Sequence, residues 1–153
     1  FSIQFPSDEF ALLEPPEYVT VLGNRIFELV SRTLPAGEIF RPNVGLIVDS
    51  RFQGQTINIE GYADAAPDIL SAFFEGWQLT GRTSTTFDGH PAVLLGEQAG
   101  WRAPDGTLVL FDRVTIYVEN RGNILIFTYT APRGTYATFG QVFQEISESL
   151  DLF

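Results

Sequence analysis

The sequence predicts one α+β domain spanning residues 1–153: an antiparallel sheet with a four-strand meander and helices packed on its faces, an α/β/α sandwich. Three observations carry this. Four apolar-rich runs between Leu79 and Ala131 are separated only by short turn signals, which forces neighbouring strands to pair antiparallel. Two other segments carry apolar residues at helical spacing with polar residues opposite. The chain has 153 residues, 44% of them apolar and 14% aromatic, enough to bury a single core.

The elements follow in order. Phe1, Ile3 and Phe5 alternate with Ser2 and Gln4, a short strand stopped by Pro6. Residues 7–17 read as a loop holding Phe10, Leu12 and Leu13 and stiffened by Pro15-Pro16. Tyr18–Leu22 and Arg25–Thr33 flank Gly23-Asn24, a hairpin with a two-residue turn. Val44–Phe52 is a strand and Gln55–Tyr62 a weaker one. Asp64–Trp77 reads as a helix capped by Asp64, with Pro67 in its first turn and Ile69, Leu70, Phe73, Phe74 and Trp77 on its inner face.

Strands follow at about 80–87, 91–101, 107–119 and 124–131. They turn at Asp88-Gly89, Pro104-Asp105-Gly106 and Asn120-Arg121-Gly122-Asn123. Apolar residues occupy both parities of 107–119, which predicts a central strand covered on both faces. A closing helix at about 136–152 carries Phe139, Val142, Phe143, Ile146 and Leu150 on one stripe, with Thr138 and Gln141 at capping-box spacing.

Composition removes whole classes of function. Nine Arg and no Lys oppose 19 acids, a net charge of −10, and no two Arg lie closer than seven positions apart. A phosphate backbone or an anionic membrane surface needs clustered cations, so neither is an expected partner. No apolar run approaches the length of a membrane-spanning helix. The absence of Cys excludes disulfides, thiolate metal sites and Cys nucleophiles. The chain has no Met, so Phe1 is read as following a removed signal, a lipid-anchor segment or a trimmed stretch of a longer protein.

Several stretches resemble the PsbP/Mog-type superfamily, which includes photosystem PsbP, Mog-type proteins and LpqN-type lipoproteins. They are the opening Phe1-Ser2-Ile3-Gln4-Phe5-Pro6, the strand Asn43–Val48, the turn Asp88-Gly89-His90-Pro91-Ala92, the strand Ile126–Ala131 and the helix Phe143–Leu150. These are packing and turn patterns. The resemblance implies an antiparallel sheet with helices on its faces and a role outside the cytoplasm, periplasmic, cell-surface or lumenal.

Candidate chemistry is sparse. His90 is the only histidine; with Asp88 it has the makings of a metal ligand or a base, but Asp-Gly-His-Pro is also a turn, and no companion ligand stands near it. No G-x-S-x-G, P-loop or G-x-G-x-x-G occurs. Asp112 interrupts an apolar strand face and reads as a structural pair or a solvated position.

The sequence therefore points to a non-enzymatic binding or assembly domain acting through protein contacts, with no cofactor and no metal. Trp101 and Arg102 beside a tight turn, and Phe10, Leu12 and Leu13 in the 8–17 loop, are the candidate partner-binding residues. An alternative is a carrier of a small apolar ligand in a sheet–helix pocket, drawn from the aromatic surplus, with Trp77, Trp101, Tyr117 and Tyr129 as candidate lining. A hydrolase using His90 stands last.

Overall fold

The structure is a computed structural model that describes residues 2–13, 19–20, 23–52 and 54–151. Its elements are β1 (Phe10–Leu13), β2 (Val19–Thr20), β3 (Gly23–Ser31), β4 (Asn43–Asp49), α1 (Ile59–Phe73), β5 (Glu75–Phe87), β6 (His90–Arg102), β7 (Leu108–Asn120), β8 (Asn123–Pro132) and α2 (Tyr136–Glu148). The strands form one sheet in the order β1-β3-β4-β8-β7-β6-β5, with β2 pairing β3 beyond the end of β1. Every pairing is antiparallel.

Strands β5 to β8 pair in chain order because their connections are too short for anything else. Phe87 pairs with His90 across Asp88 (φ 48) and Gly89 (φ 77), and Asn120 with Asn123 across Arg121 (φ 53) and Gly122 (φ 80). Two successive positive φ values make the turn whose twist matches that of the flanking strands. β7 lies between β6 and β8, as its two apolar parities predict.

The core sits in two parts on opposite faces. On β8, Leu125, Phe127, Tyr129 and Ala131 point toward Phe143 and Ile146 of α2 and Leu150 just beyond its end. Ile124 and Ile126, of the other parity, join Ile59, Ala63, Ala66 and Leu70 of α1. The helix α2 packs on β8, whereas α1 packs chiefly over β5, β6 and β7.

Several expectations are corrected. The opening stretch makes a single bridge, Ser2 to Asp151, rather than a strand, while Ile3 and Phe5 pack against the α2-side core. Residues 10–13 are a strand on β3, not part of a loop, because pairing with a distant strand supplies what local pattern does not. Gly23-Asn24 belongs to β3, where Thr20 pairs with Gly23. Phe1, Pro15, Pro16, Tyr18 and Leu22 lie outside the described residues. Residues 55–58 form no strand; they lead into α1, where Asn58 caps the helix by accepting from the Gly61 N–H at 3.3 Å.

The helix α1 thus starts five residues before the expected cap at Asp64, and Pro67 lies in its interior, where the Ala63 carbonyl loses a partner. Its inner face is Ile59, Ala63, Ala66 and Leu70. Ile69 and Phe73 are turned out, at 37% and 58% exposure. Trp77 belongs to β5. The helix α2 ends at Glu148, and its first residue follows Thr135, whose hydroxyl donates to the Pro132 carbonyl instead of capping the helix; Gln141 donates to Glu145 rather than forming a box with Thr138.

Phe143 of α2 is 2% exposed and meets the rings of Phe10, Tyr129, Tyr136 and Phe139. Phe143→Ala is expected to cost about 3–5 kcal/mol in urea unfolding. A loss under about 1 kcal/mol would mean that α2 does not dock on the sheet in this way.

Candidate functional site

The α1 side of the sheet is unequally covered. Because α1 lies chiefly over β5–β7, its apolar packing reaches β4 and β8 at Ile47, Ile124 and Ile126, and the far ends of those two strands on that face stay half-buried. The sequence matches this locally. Beyond the buried Ile124 and Ile126, β8 continues with half-buried Thr128 and Thr130 on the same parity, and β4 begins with half-buried Asn43. A strand face that meets water needs no apolar residue.

A cleft of about 480 Å³ opens where the covered and half-buried parts of that face meet. Its apolar wall is Leu70 and Phe73 of α1, Phe74, Trp101 of β6 and Phe111 of β7. The opposite wall is Arg25 and Glu28 of β3, with Asn43, Thr128 and Thr130 beside them. Arg25 and Glu28 form an ion pair. Trp101 sits edge-on to Phe40 at 4.8 Å and against Phe111 at 5.4 Å. The volume falls in the range of small-molecule sites, and mixed aromatic and polar lining is their usual make-up.

Arg113 completes the cleft from β7 and is held from below. The β6–β7 register sets it directly across from Glu97, on the face toward α1. The Glu97 side chain is wholly buried and the Arg113 side chain 9% exposed, with Nε donating to the carboxylate at 2.5 Å. Thr115 Oγ1 donates to the same carboxylate at 2.8 Å, and the Trp77 indole N–H to its other oxygen at 3.3 Å. Phe74 lies 4.9 Å and Phe111 5.8 Å from the guanidinium carbon. A buried charge survives only with such partners. Nη2 of Arg113 has no hydrogen-bond partner among the described residues.

A second buried carboxylate stands on the same face at the far end of β4. Asp49 accepts from Arg51 through Nε at 2.9 Å and Nη2 at 2.6 Å, from the Arg51 backbone N–H at 3.1 Å, and from the Tyr62 hydroxyl at 2.9 Å. Burial works to raise its pKa, but the bonds from Arg51 and Tyr62 outweigh it and hold Asp49 below the ordinary carboxylate range. Burial and then the neighbouring Asp49 push the Tyr62 phenol upward, so it remains a donor. This cluster ties α1 to β4 and is structural.

The residues singled out in the sequence fall in different places. Phe10 is 1% exposed, a core residue that presents nothing to a partner. Leu12 and Leu13 are exposed, at 57% and 45%, on successive residues of β1 and hence on opposite faces. Trp101 lines the cleft, half-buried. Arg102 points the other way, pairing with Glu75 at 2.7 Å and donating to the Gly106 carbonyl at 3.0 Å. Trp101 and Arg102 therefore do not form one patch. Four strands stand between β1 and β6, so the two candidate regions are about 24 Å apart in the sheet.

His90 opens β6 at the hairpin turn, half-buried, and among the described residues no group of three His, Cys, Asp or Glu side chains has metal-holding geometry. Asp112 accepts from the Gly134 N–H at 2.9 Å and anchors the turn into α2, a structural role. Of the aromatic candidates, Tyr117 and Tyr129 are buried in the core and Trp77 serves Glu97. Sequence reading missed Glu97 and Arg113, although counting outward from the 103–107 turn brings them face to face.

Asp49 gives a pH dependence of definite sign. Its pKa is lower folded than unfolded, so its contribution to stability is present above about pH 4 and lost as pH falls through the folded value. Asp49→Asn is expected to be less stable than the parent at pH 7, with the gap narrowing between about pH 4 and 2. Urea midpoints measured across that range check it; a constant gap would contradict the assignment.

No family model and no curated protein matches the chain, but solved structures do. PA94 from Pseudomonas aeruginosa, a protein of unknown function, superposes with a TM-score of 0.64 at 21% identity, covering 95% of this chain and 98% of that one. LpqN from Mycobacterium tuberculosis, involved in cell envelope biogenesis, gives 0.61 at 20% identity, over 96% and 79%. Cyanobacterial PsbP from Synechocystis sp. PCC 6803 gives 0.58 at 13% identity, over 95% and 83%. The likeness spans nearly the whole chain, and the chain has the PsbP/LpqN-like fold.

Proposed function

We propose that this chain is a non-catalytic binding domain that carries a small apolar molecule in the cleft between the end of α1 and the sheet. One observation carries the reading: an aromatic-walled cleft of about 480 Å³ on the half-covered face of the sheet. The helix α1 leaves Phe73 58% exposed beside it, an apolar surface that an occupant would shield. The Glu97 carboxylate beneath the cleft is taken up by Arg113 Nε, Thr115 and Trp77, which suits a rigid binding wall better than a reacting centre.

A role outside the cytoplasm fits this reading. Its support is the fold shared with LpqN, a protein of cell envelope biogenesis. A second reading, docking of a protein partner, rests on Leu12 and Leu13, which stand exposed on β1 at the sheet edge.

The test uses N-phenyl-1-naphthylamine, an uncharged apolar dye whose fluorescence rises on entering such a site. Trp101→Ala is expected to weaken its binding about tenfold, equal to about 1.4 kcal/mol. Leu12→Ser on the distant edge should leave the affinity within about twofold, well under that step. Absence of dye binding by the folded parent would overturn the carrier reading and leave the β1 edge as the candidate surface.

A further inference from the structure

The cleft offers a specific polar contact. Arg113 is nine-tenths buried, its Nε is given to Glu97, and its Nη2 has no acceptor among the described residues. A buried guanidinium N–H without an acceptor is costly, so an occupant that supplies one gains more than its apolar area alone would give. Nη2 is closed to bulk water. An acceptor therefore reaches it by shifting a wall side chain. Phe74, stacked 4.9 Å from the guanidinium carbon at the end of α1, stands over it.

The charge balance decides what kind of acceptor fits. Glu97 already neutralises Arg113, and Glu28 already pairs with Arg25 on the facing wall. An incoming carboxylate would lose its hydration and meet the fields of two fixed carboxylates with no uncompensated cation to offset them. An uncharged carbonyl accepts the same N–H without that penalty.

We propose that the cleft takes an apolar molecule bearing one uncharged carbonyl, as in a ketone, ester or amide, which accepts a hydrogen bond from Nη2 of Arg113. This rests on the carrier reading above and names the ligand chemistry that the reading leaves open. The experiment is an NMR titration of the unaltered protein with three probes of similar size: propylbenzene, propiophenone and phenylacetate. The Trp101 indole N–H reports occupancy, and the Arg113 guanidinium signals report the contact. Propiophenone is expected to bind about tenfold more tightly than either of the others, and it alone should shift the Arg113 signals.

Equal affinity for propylbenzene and propiophenone would overturn the carbonyl contact while leaving the carrier reading in place. Tightest binding of phenylacetate would overturn the uncharged head. Binding of none of the three would overturn the carrier reading and this inference with it.

Discussion

The pairing of Glu97 with Arg113 across β6 and β7 is the constraint on which the α1 side of the molecule depends. Two opposite charges inside an apolar layer are tolerated only face to face and with their remaining hydrogen-bonding capacity used. This fixes the register, because a slip of one residue between β6 and β7 would put the two side chains on opposite faces, one of them unpaired on the side of Leu94, Val114 and Ile116. Trp77 donates to Glu97 from β5, and Phe74 lies over Arg113 where α1 stops, so the same pair joins the end of the helix to the sheet.

The cleft follows from that stop. The inner face of α1 is short and small: two of its four buried residues are alanines, so the helix can lie close to the sheet but covers only part of it. On the other face, Phe143 and Ile146 of α2, with Leu150 just after it, lie against a continuous apolar surface from β3, β4 and β8, with Phe10 added by β1. The α2 face is thus packed over β3, β4 and β8, with Leu108 and Leu110 of β7 left exposed, and the other face is packed on one side of a cleft. That asymmetry is what the proposed binding role draws on: a packed layer for support and a cleft beside the other.

Legibility in the sequence tracked how local each determinant is. The hairpins at Asp88-Gly89 and Arg121-Gly122 were readable because the positive φ that such turns require is written into two adjacent residues. The stripe of α2 was readable because it is built from large side chains. The inner face of α1 is hard to read because the large side chains Ile69 and Phe73 point outward while Ala63 and Ala66 face the sheet, where small residues let the helix come close. The strand β1 was missed because its pattern is set by pairing with β3, in which Phe10 lies opposite Ser31. Trp101 was legible as an aromatic at a turn, but its place in the cleft depends on Phe40 and Phe111, which only the tertiary structure brings to it.

The most direct measurement is a double-mutant cycle in urea on Glu97→Leu and Arg113→Met. Each single substitution strands a buried charge and should cost about 3–5 kcal/mol. Together they leave apolar groups in the same space, so the pair should cost clearly less than the sum, with a coupling of about 2 kcal/mol or more. Losses that add to within about 0.5 kcal/mol would show the two side chains to be energetically independent, and the account of this face would fail.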